Sequence, residues 1–158
     1  MQYKIKGCYI KSQNAAKPHS QASKDVIFAL RQMKGVNSIL DLGCGKLRYS
    51  SYLNEVTENI YFSDSRIQLE RKQMIKGSHC TVKAYVSHNY PSAKCVAVED
   101  IGNVNARFDL IFCSNVLSAI PCEKTLAKTM SNIHSLLAEK GTALIVNQHR
   151  SSYFVIVR

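Results

Sequence analysis

The stretch Ile39-Leu40-Asp41-Leu42-Gly43-Cys44-Gly45 decides the fold of this chain. Its first half is short, branched and apolar, which is typical of a central parallel strand with helices on both faces. The glycines allow a sharp turn, and because they carry no Cβ they let a ligand approach the backbone. Apolar residues at helical spacing follow from about Arg48. A strand, a glycine turn and a helix N-terminus together predict a nucleotide-type binding site.

The order of residues in this turn distinguishes between classes of cofactor. A dinucleotide-binding turn has the pattern G-x-G-x-x-G, but here Lys46, Leu47 and Arg48 follow the second glycine and no third glycine is present. An NAD dehydrogenase is therefore a poorer fit. Asp41 instead creates the pattern D-x-G-x-G, which resembles the first motif of class I S-adenosylmethionine-dependent methyltransferases. In that family the turn surrounds the methionine part of the cofactor, and a glycine often stands at the position of Leu47. A tight turn without a ligand is the alternative.

A second candidate ligand follows the next apolar run, residues 60–63. That run ends at Asp64, 19 residues after Gly45. Nucleotide-binding folds place a carboxylate near this distance, where it accepts both ribose hydroxyls. The resemblance implies the same role for Asp64, with Ser65 beside it. The alternative is capping of a helix that begins near Arg66, and the two roles are compatible.

Residues 95–98 are interpreted as a third strand, and Glu99-Asp100-Ile101 follows it. The resembled family commonly has an acidic residue here, whose side chain and adjacent backbone amide meet the adenine edge. The resemblance implies that Asp100 and Ile101 have this role, with Glu99 as a substitute. A polar loop at a strand end is the alternative.

The segment F-D-L-I-F-C-S-N-V-L, residues 108–117, looks very like the fourth-strand motif of small class I methyltransferases. The resemblance implies that Ser114 and Asn115, at the end of this strand, lie by the cofactor. Residues 136–146 are similar to the helix-glycine-fifth-strand signature of the family. In all, the resemblance extends from about Ser38 to Val146.

Two helices are predicted from apolar residues at helical spacing. One extends from Ser23 to Lys34 and ends at Gly35, and the other extends from about Cys122 to Lys140 and ends at Gly141. The second helix has one apolar stripe, which predicts ordinary packing against a sheet. The stripe comprises Leu126, Met130, Ile133 and Leu137.

Strands that alternate with helices predict an α/β fold, with a doubly wound, mostly parallel Rossmann-like sheet and helices on both faces. Because only residues 147–158 follow the fifth strand, the sheet is expected to be shortened there. Ligands bind such sheets outside the carboxyl ends of the strands. The candidate cofactor site lies at those ends and comprises Asp41, Gly43, Cys44, Gly45, Asp64, Ser65, Asp100, Ile101, Ser114 and Asn115.

The composition predicts one domain, because 158 residues with 46% hydrophobic content suffice for one core. Its expected parts are a basic segment and helix (1–37), a core (38–146) and a short C-terminal strand (147–158). No apolar run is long enough to span a membrane, and no secretory signal is evident. Six scattered cysteines indicate reduced thiols and a cytoplasmic location. A metal site from His79, Cys80, His88 and Cys95 lacks close Cys pairs, and no metal is expected.

The net charge of +10 is unevenly distributed, since residues 1–34 hold seven lysines and arginines against Asp25 alone. An excess of basic residues favours contact with phosphates or acidic partners, so nucleic acid is a candidate partner. The alternative is an ordinary solvated face, because no basic motif interleaved with aromatic residues is present.

The chain departs from the family pattern in two places. Residues 77–94 are longer than a helix-to-strand connection needs, and are interpreted as an extra strand (81–86) or as part of the acceptor pocket. After the fifth strand, residues 153–157 are strand-like and are expected to pair with it through an antiparallel turn. The family normally adds a helix and two strands here, so an uncovered sheet edge and homodimerisation are also expected.

The expected function is methyl transfer from S-adenosylmethionine, with S-adenosylhomocysteine as product, to a small molecule, protein or RNA. The residues after the fourth strand do not match the motif of enzymes that methylate exocyclic amines of DNA, so that acceptor is disfavoured. Cys122 follows Pro121 as in cytosine-type enzymes but is interpreted as structural, and no catalytic residue is identified. The alternatives are a non-catalytic cofactor-binding or regulatory module and a basic nucleic-acid-binding protein.

Overall fold

The computed structural model describes residues 2–5, 8–11, 16–120 and 122–147. In chain order its elements are β1 (Gln2–Ile5), β2 (Cys8–Lys11), α1 (Lys24–Arg31), β3 (Ile39–Leu42), α2 (Ser50–Val56), β4 (Ile60–Asp64), α3 (Arg66–Glu70), β5 (Gln73–Ile75), β6 (Ser78–Cys80), α4 (Val82–Asn89), β7 (Lys94–Ala97), β8 (Phe108–Ser114), α5 (Glu123–Leu136) and β9 (Leu137–Val146). Short 3-10 helices span His19–Gln21, Val98–Asn103 and Leu117–Ala119.

A five-stranded parallel sheet forms the centre of the fold, with strand order β7-β4-β3-β8-β9. From β3 the chain moves outward to β4 and β7, then returns to the other side of β3 to form β8 and β9. The strand order therefore reverses between β3 and β8, where doubly wound sheets bind their ligands. The predicted α/β class and doubly wound, mostly parallel sheet are confirmed. Two antiparallel pairs, β1–β2 and β5–β6, lie outside this sheet.

Helices cover both faces of the sheet, so each strand contributes to two cores. Along β8, Leu110 and Phe112 belong to the core on the side of α1 to α4. Ile111 and Cys113 belong to the core on the side of α5. This alternation follows from the two-residue repeat of a strand. It explains why β3 is buried along its entire length, as its continuous apolar sequence predicts.

The end of the last helix differs from the prediction. Helix α5 ends at Leu136, and Leu137 is already extended and paired with Phe108 of β8. The predicted helix end at Lys140 is therefore wrong, and residues 138–141 belong to β9. Gly141 has a different function from the predicted helix stop, because a Cβ there would lie 2.7 Å from the Phe108 carbonyl oxygen. The glycine permits this close approach at the register shift between β8 and β9.

The predicted apolar stripe on α5 is only partly buried. Ile133 and Leu136 are buried, whereas Met130 is 42% exposed. The sheet beneath α5 ends at β9, which pairs only with β8 among the described residues. A stripe at helical spacing identifies the apolar face of a helix, but the amount of sheet available determines how much of it is covered.

The segment after α3 contains structure that the sequence analysis did not predict. Residues 73–80 form a β-hairpin whose turn places Lys76 and Gly77 at positive φ. Residues 81–86, predicted as a possible strand, lie instead in α4. The Thr81 hydroxyl caps this helix by accepting a hydrogen bond from Ala84 N at 3.0 Å.

The remaining boundaries differ little from the predictions. The first helix is α1, the third strand is β7 (one residue earlier than predicted), and the predicted helix near Arg66 is α3, capped by Ser65. The expected strand at residues 153–157 lies outside the described part of the chain. Among the described helices, none combines the length and apolarity needed to cross a bilayer.

Candidate functional site

A cleft opens at the carboxyl ends of β3, β4 and β8, where the strand order reverses. It collects eight of the ten predicted site residues from segments far apart in the chain. Those lining residues are Asp41, Gly43, Cys44, Gly45, Asp64, Ser65, Ser114 and Asn115. Parallel strands bring their carboxyl ends to one edge of the sheet, so the fold brings these residues together.

The glycine turn forms one wall of the cleft. The Gly43 and Cys44 amides both donate to the carbonyl of Ser63 on β4, at 2.7 and 2.9 Å. Gly43 has φ +81°, and a Cβ there would overlap the side chain of Val116. Both its conformation and its surroundings therefore require glycine.

Leu47 occupies the position where the resembled family often has a glycine. It adopts the left-handed conformation that a glycine adopts readily, with φ 58°. Its side chain is fully buried in the core and does not line the cleft. The chain thus retains the backbone path of the turn and uses the side chain for packing.

We expect Leu47→Gly to destabilise the fold without weakening ligand binding. The substitution relieves about 1–2 kcal/mol of left-handed strain, but removes a buried leucine at a cost of about 2–5 kcal/mol. A net loss on the order of 2 kcal/mol in the free energy of unfolding should appear in urea denaturation. A large loss of affinity in the folded variant would contradict this division of roles.

The Asp64 carboxylate lies at the centre of the cleft wall. Its Oδ2 accepts a hydrogen bond from Gly45 N at 2.9 Å, and its Oδ1 accepts one from Ser65 N at 2.7 Å. Burial raises the pKa of this carboxyl group, and the two backbone donors oppose the rise. Asp64 therefore connects the glycine turn to the start of α3, and Ser65 rather than Asp64 caps that helix.

Asp41 is a buried carboxyl group with no hydrogen bond within the described residues. It is 4% exposed, and its pKa is raised to about 8. Burial is the main cause and the charge of Asp64 adds to it, while Arg48 acts in the opposite direction. A cation placed in the cleft would favour the ionised form of Asp41.

The cleft lining combines cationic with apolar and hydroxyl side chains. Lys17, Lys46 and Arg48 line it from segments next to the glycine turn. Apolar and hydroxyl side chains come from the segment after β8 and from α5, namely Ala119, Ile120, Thr125 and Thr129. The cationic side chains favour an anionic group near the turn.

Asp100 and Ile101 do not line the cleft. Asp100 forms an ion pair with Arg66 at 2.7 Å, and Glu99 accepts a hydrogen bond from Arg66 N at 3.1 Å. Ile101 is buried in the core on the side of α5. Val98, at the end of β7, lines the cleft instead. The role assigned to Asp100 and Ile101 in adenine recognition stays a prediction.

The sequence analysis did not single out Gln68, Phe112 or Tyr49, which also line the cleft. Gln68 lies in the first turn of α3, shortly after Asp64, and this closeness to a predicted ligand could have identified it as a site residue.

Cys122 is exposed and outside the cleft lining, and hydrogen bonding with Thr125 lowers the pKa of its thiol. No group of three or more metal-ligating side chains occurs within the described residues.

The chain is similar to an uncharacterized protein in sequence and to several methyltransferases in fold. In sequence, the chain is 44% identical over 154 residues to the uncharacterized protein YmfD of Escherichia coli K12, covering 98% of this chain and 70% of YmfD. CalS10 of Micromonospora echinaspora, an amino pentose methyltransferase solved with S-adenosylmethionine, superposes with a TM-score of 0.63 at 14% identity. The N-methyltransferase NodS of Bradyrhizobium japonicum, solved with S-adenosylhomocysteine, gives 0.57 at 16% identity.

The matches cover 96% and 80% of this chain but only 62% of CalS10 and 58% of NodS, so the chain spans less than two thirds of either enzyme. At these identities the likeness shows the fold. The family model of a methyltransferase domain matches residues 14–155. With a family match over most of its length and a relative at 44% identity, the chain belongs to the methyltransferase domain family.

Proposed function

We propose that the protein binds S-adenosylmethionine in the cleft and transfers its methyl group to a small molecule, protein or RNA. The observation that carries this proposal is the convergence of Asp41, the turn 43–45 and Asp64 at the switch point of the sheet. CalS10 and NodS, which share the fold, were solved with this cofactor and its demethylated product.

The residues of the cleft fit the proposed cofactor. Gly43 and Gly45 line the cleft, and the cationic side chains near the turn suit the methionine carboxylate. Asp64 retains lone pairs for ribose hydroxyls. Ser114 Oγ is buried and has no hydrogen-bond partner within the described residues, so it can accept a hydrogen bond from the ligand.

When bound, the cofactor supplies a methyl group activated by a sulfonium. The chain's own tasks are to position the acceptor in line with that methyl group and to exclude water. We assign the acceptor to the less charged part of the lining, which includes Ile120, Thr125 and Thr129. Asp41, buried on the cofactor side, supplies a negative charge for the cationic groups of the ligand.

Calorimetric titration with S-adenosylmethionine, S-adenosylhomocysteine and NAD tests the proposal. We expect micromolar binding of the first two ligands and no binding of NAD. If the folded protein binds neither adenosyl ligand, the proposal is wrong. Transfer of tritiated methyl groups into cell extract then separates an enzyme from a non-catalytic binding module, which would bind without turnover.

We also expect cofactor binding to release protons, because a cationic ligand lowers the raised pKa of Asp41. Its pKa of about 8 exceeds the unfolded value of about 3.9, so the native state holds the extra proton between these values. Stability should therefore fall as pH rises from about 4 to about 8. Asp64, Arg48, Cys44 and Cys113 are the other titratable groups coupled to Asp41.

Titration at pH 7 in buffers with different ionisation enthalpies measures the proton release. S-adenosylhomocysteine carries an ammonium group and should release protons, whereas 5′-methylthioadenosine lacks it and should not. Asp41→Asn should remove the release and flatten the pH dependence of stability. Equal proton release in Asp41→Asn would assign the titration to another group.

Two further expectations concern partners. The positive charge of the chain, including Lys17, Lys46 and Arg48 at the cleft, supports an RNA acceptor or nucleic-acid binding. Salt-sensitive RNA binding in fluorescence anisotropy would support this expectation, and no binding at low salt would contradict it.

Strand β9 pairs only with β8 among the described residues, which supports a homodimer through that edge. Sedimentation velocity tests the dimer.

A further inference from the structure

Gln68 is a buried polar side chain at the wall of the cleft, and the proposed mechanism has not used it. It lies on α3, is 1% exposed and is among the residues that line the cleft. Its Nε2 donates to the Gly45 carbonyl at 2.7 Å, the shorter of its two hydrogen bonds. The same glycine donates its N–H to Asp64. Gln68 therefore binds the carbonyl group of Gly45, and Asp64 binds its amide group.

The surrounding contacts fix the orientation of the Gln68 amide. Its second Nε2 hydrogen faces Gln73 Oε1 at 3.2 Å, and Gln73 Nε2 donates to the Gln68 carbonyl at 3.1 Å. A flipped amide would place Gln68 Oε1 against two acceptor oxygens, those of Gly45 and Gln73. The observed orientation is therefore the only one that satisfies both neighbours.

That orientation leaves Gln68 Oε1 without a partner. The atom is buried, and it makes no hydrogen bond within the described residues. A buried acceptor left unpaired costs about 1–3 kcal/mol, so its presence in a folded protein calls for an explanation, and a functional role is one of them. Its neighbours are the residues to which the proposed function assigns the cofactor's ribose and methionine.

We propose that Gln68 positions Gly45 in the cofactor turn and that its Oε1 accepts a hydrogen bond from a ribose hydroxyl of the bound cofactor. This inference rests on the proposed function. A hydroxyl donates one hydrogen, so Asp64 then accepts from one ribose hydroxyl, not from both as the sequence pattern predicts, and Gln68 accepts from the other. Because Asp64 and Gln68 both hydrogen-bond Gly45, the glycine turn and the start of α3 are held together before the ligand binds. This preorganisation lowers the free-energy cost of ordering the site on binding.

The test combines variants of Gln68 with deoxy forms of the ligand. S-adenosylhomocysteine and its 2′-deoxy and 3′-deoxy analogues are titrated calorimetrically into the wild type and Gln68→Leu. We expect Gln68→Leu to lose at least tenfold in affinity for the parent ligand. Removing one of the two hydroxyls should weaken wild-type binding at least fivefold but Gln68→Leu binding less than twofold, because the partner is already lost.

Control variants separate positioning from general destabilisation. Gln73→Leu removes the bonds between the two glutamines but retains the Gly45 bond and the free Oε1 atom, so the wild-type sensitivity to the deoxy ligands should persist. Gln32→Leu makes the same chemical change at an exposed position and should bind normally. If Gln68→Leu does not fold, Gln68→Met, whose unbranched side chain has similar length, replaces it. Melting temperatures of the ligand-free proteins report folding.

The outcomes distinguish failure of this inference from failure of the proposed function. If the wild type binds S-adenosylhomocysteine and Gln68→Leu binds it equally well, the inference is wrong and the function stands. Equal sensitivity of both proteins to the two deoxy ligands would reduce Gln68 to a structural role. Absence of binding by the folded wild type would overturn both.

Discussion

Gly43→Ala should abolish measurable cofactor binding and cost about 2–5 kcal/mol of stability. The added Cβ overlaps the side chain of Val116, which must rotate or move, and overpacking of this kind costs about 1–3 kcal/mol. The positive φ of Gly43 adds about 1–2 kcal/mol of strain for any L residue. Val116 also lines the cleft, so displacing it changes the wall that the cofactor must approach. Urea denaturation and calorimetric titration measure the two effects separately.

Gly35 and Val116 provide matched controls for this prediction. Gly35 also has positive φ but no atom near its missing Cβ, so Gly35→Ala should show the strain alone and bind normally. In the double variant Gly43→Ala/Val116→Ala the nearest remaining Val116 atom is the Cβ at 3.3 Å, which predicts partial recovery of stability. If Gly35→Ala were as harmful as Gly43→Ala, the overlap with Val116 would not be the cause.

Asp64→Asn should weaken S-adenosylhomocysteine binding about tenfold to a hundredfold while the domain stays folded. The carboxylate now accepts hydrogen bonds from Gly45 N and Ser65 N, and an amide group would turn a donor toward one of them. The charge-assisted hydrogen bond from a ribose hydroxyl would also be lost, at about 1.5–3 kcal/mol. Calorimetry measures the affinity, and circular dichroism establishes that the variant is folded.

Asp109 is the matched control at the opposite end of the sheet. Its Oδ2 accepts hydrogen bonds from both the Asn37 and Ser38 amides, at 2.9 and 3.1 Å, whereas Asp64 uses one oxygen for each of its two amides. The single oxygen of an amide group can keep both bonds, so Asp109→Asn should lower stability less than Asp64→Asn and leave the affinity unchanged. Wild-type affinity in Asp64→Asn, or equal losses of affinity in both variants, would refute the assignment of Asp64 to the ribose.

The sequence predicted the parts of the site that lie on strands and on the glycine turn. A buried parallel strand is mostly apolar, and polar residues mark its carboxyl end, as Asp64 and Ser114 do. The hairpin of residues 73–80 was missed because its strands are only three residues long and show no extended alternation. The end of α5 was misplaced because residues 137–140 fit a helix locally, whereas pairing with β8 makes them a strand.

The sequence by itself determined the α/β class, the order of the main strands and the D-x-G-x-G turn, because these depend on local periodicity and on residues adjacent in the chain. Tertiary structure alone decided that Asp100 pairs with Arg66 rather than lining the cleft. It also decided that Leu47 adopts the left-handed backbone conformation typical of glycine, and that Gln68 donates a hydrogen bond to the Gly45 carbonyl. These features depend on contacts between residues 23 and 34 positions apart, or on packing that offsets an unfavourable φ. Local sequence patterns do not predict such contacts, because the two partners come together only when the sheet folds.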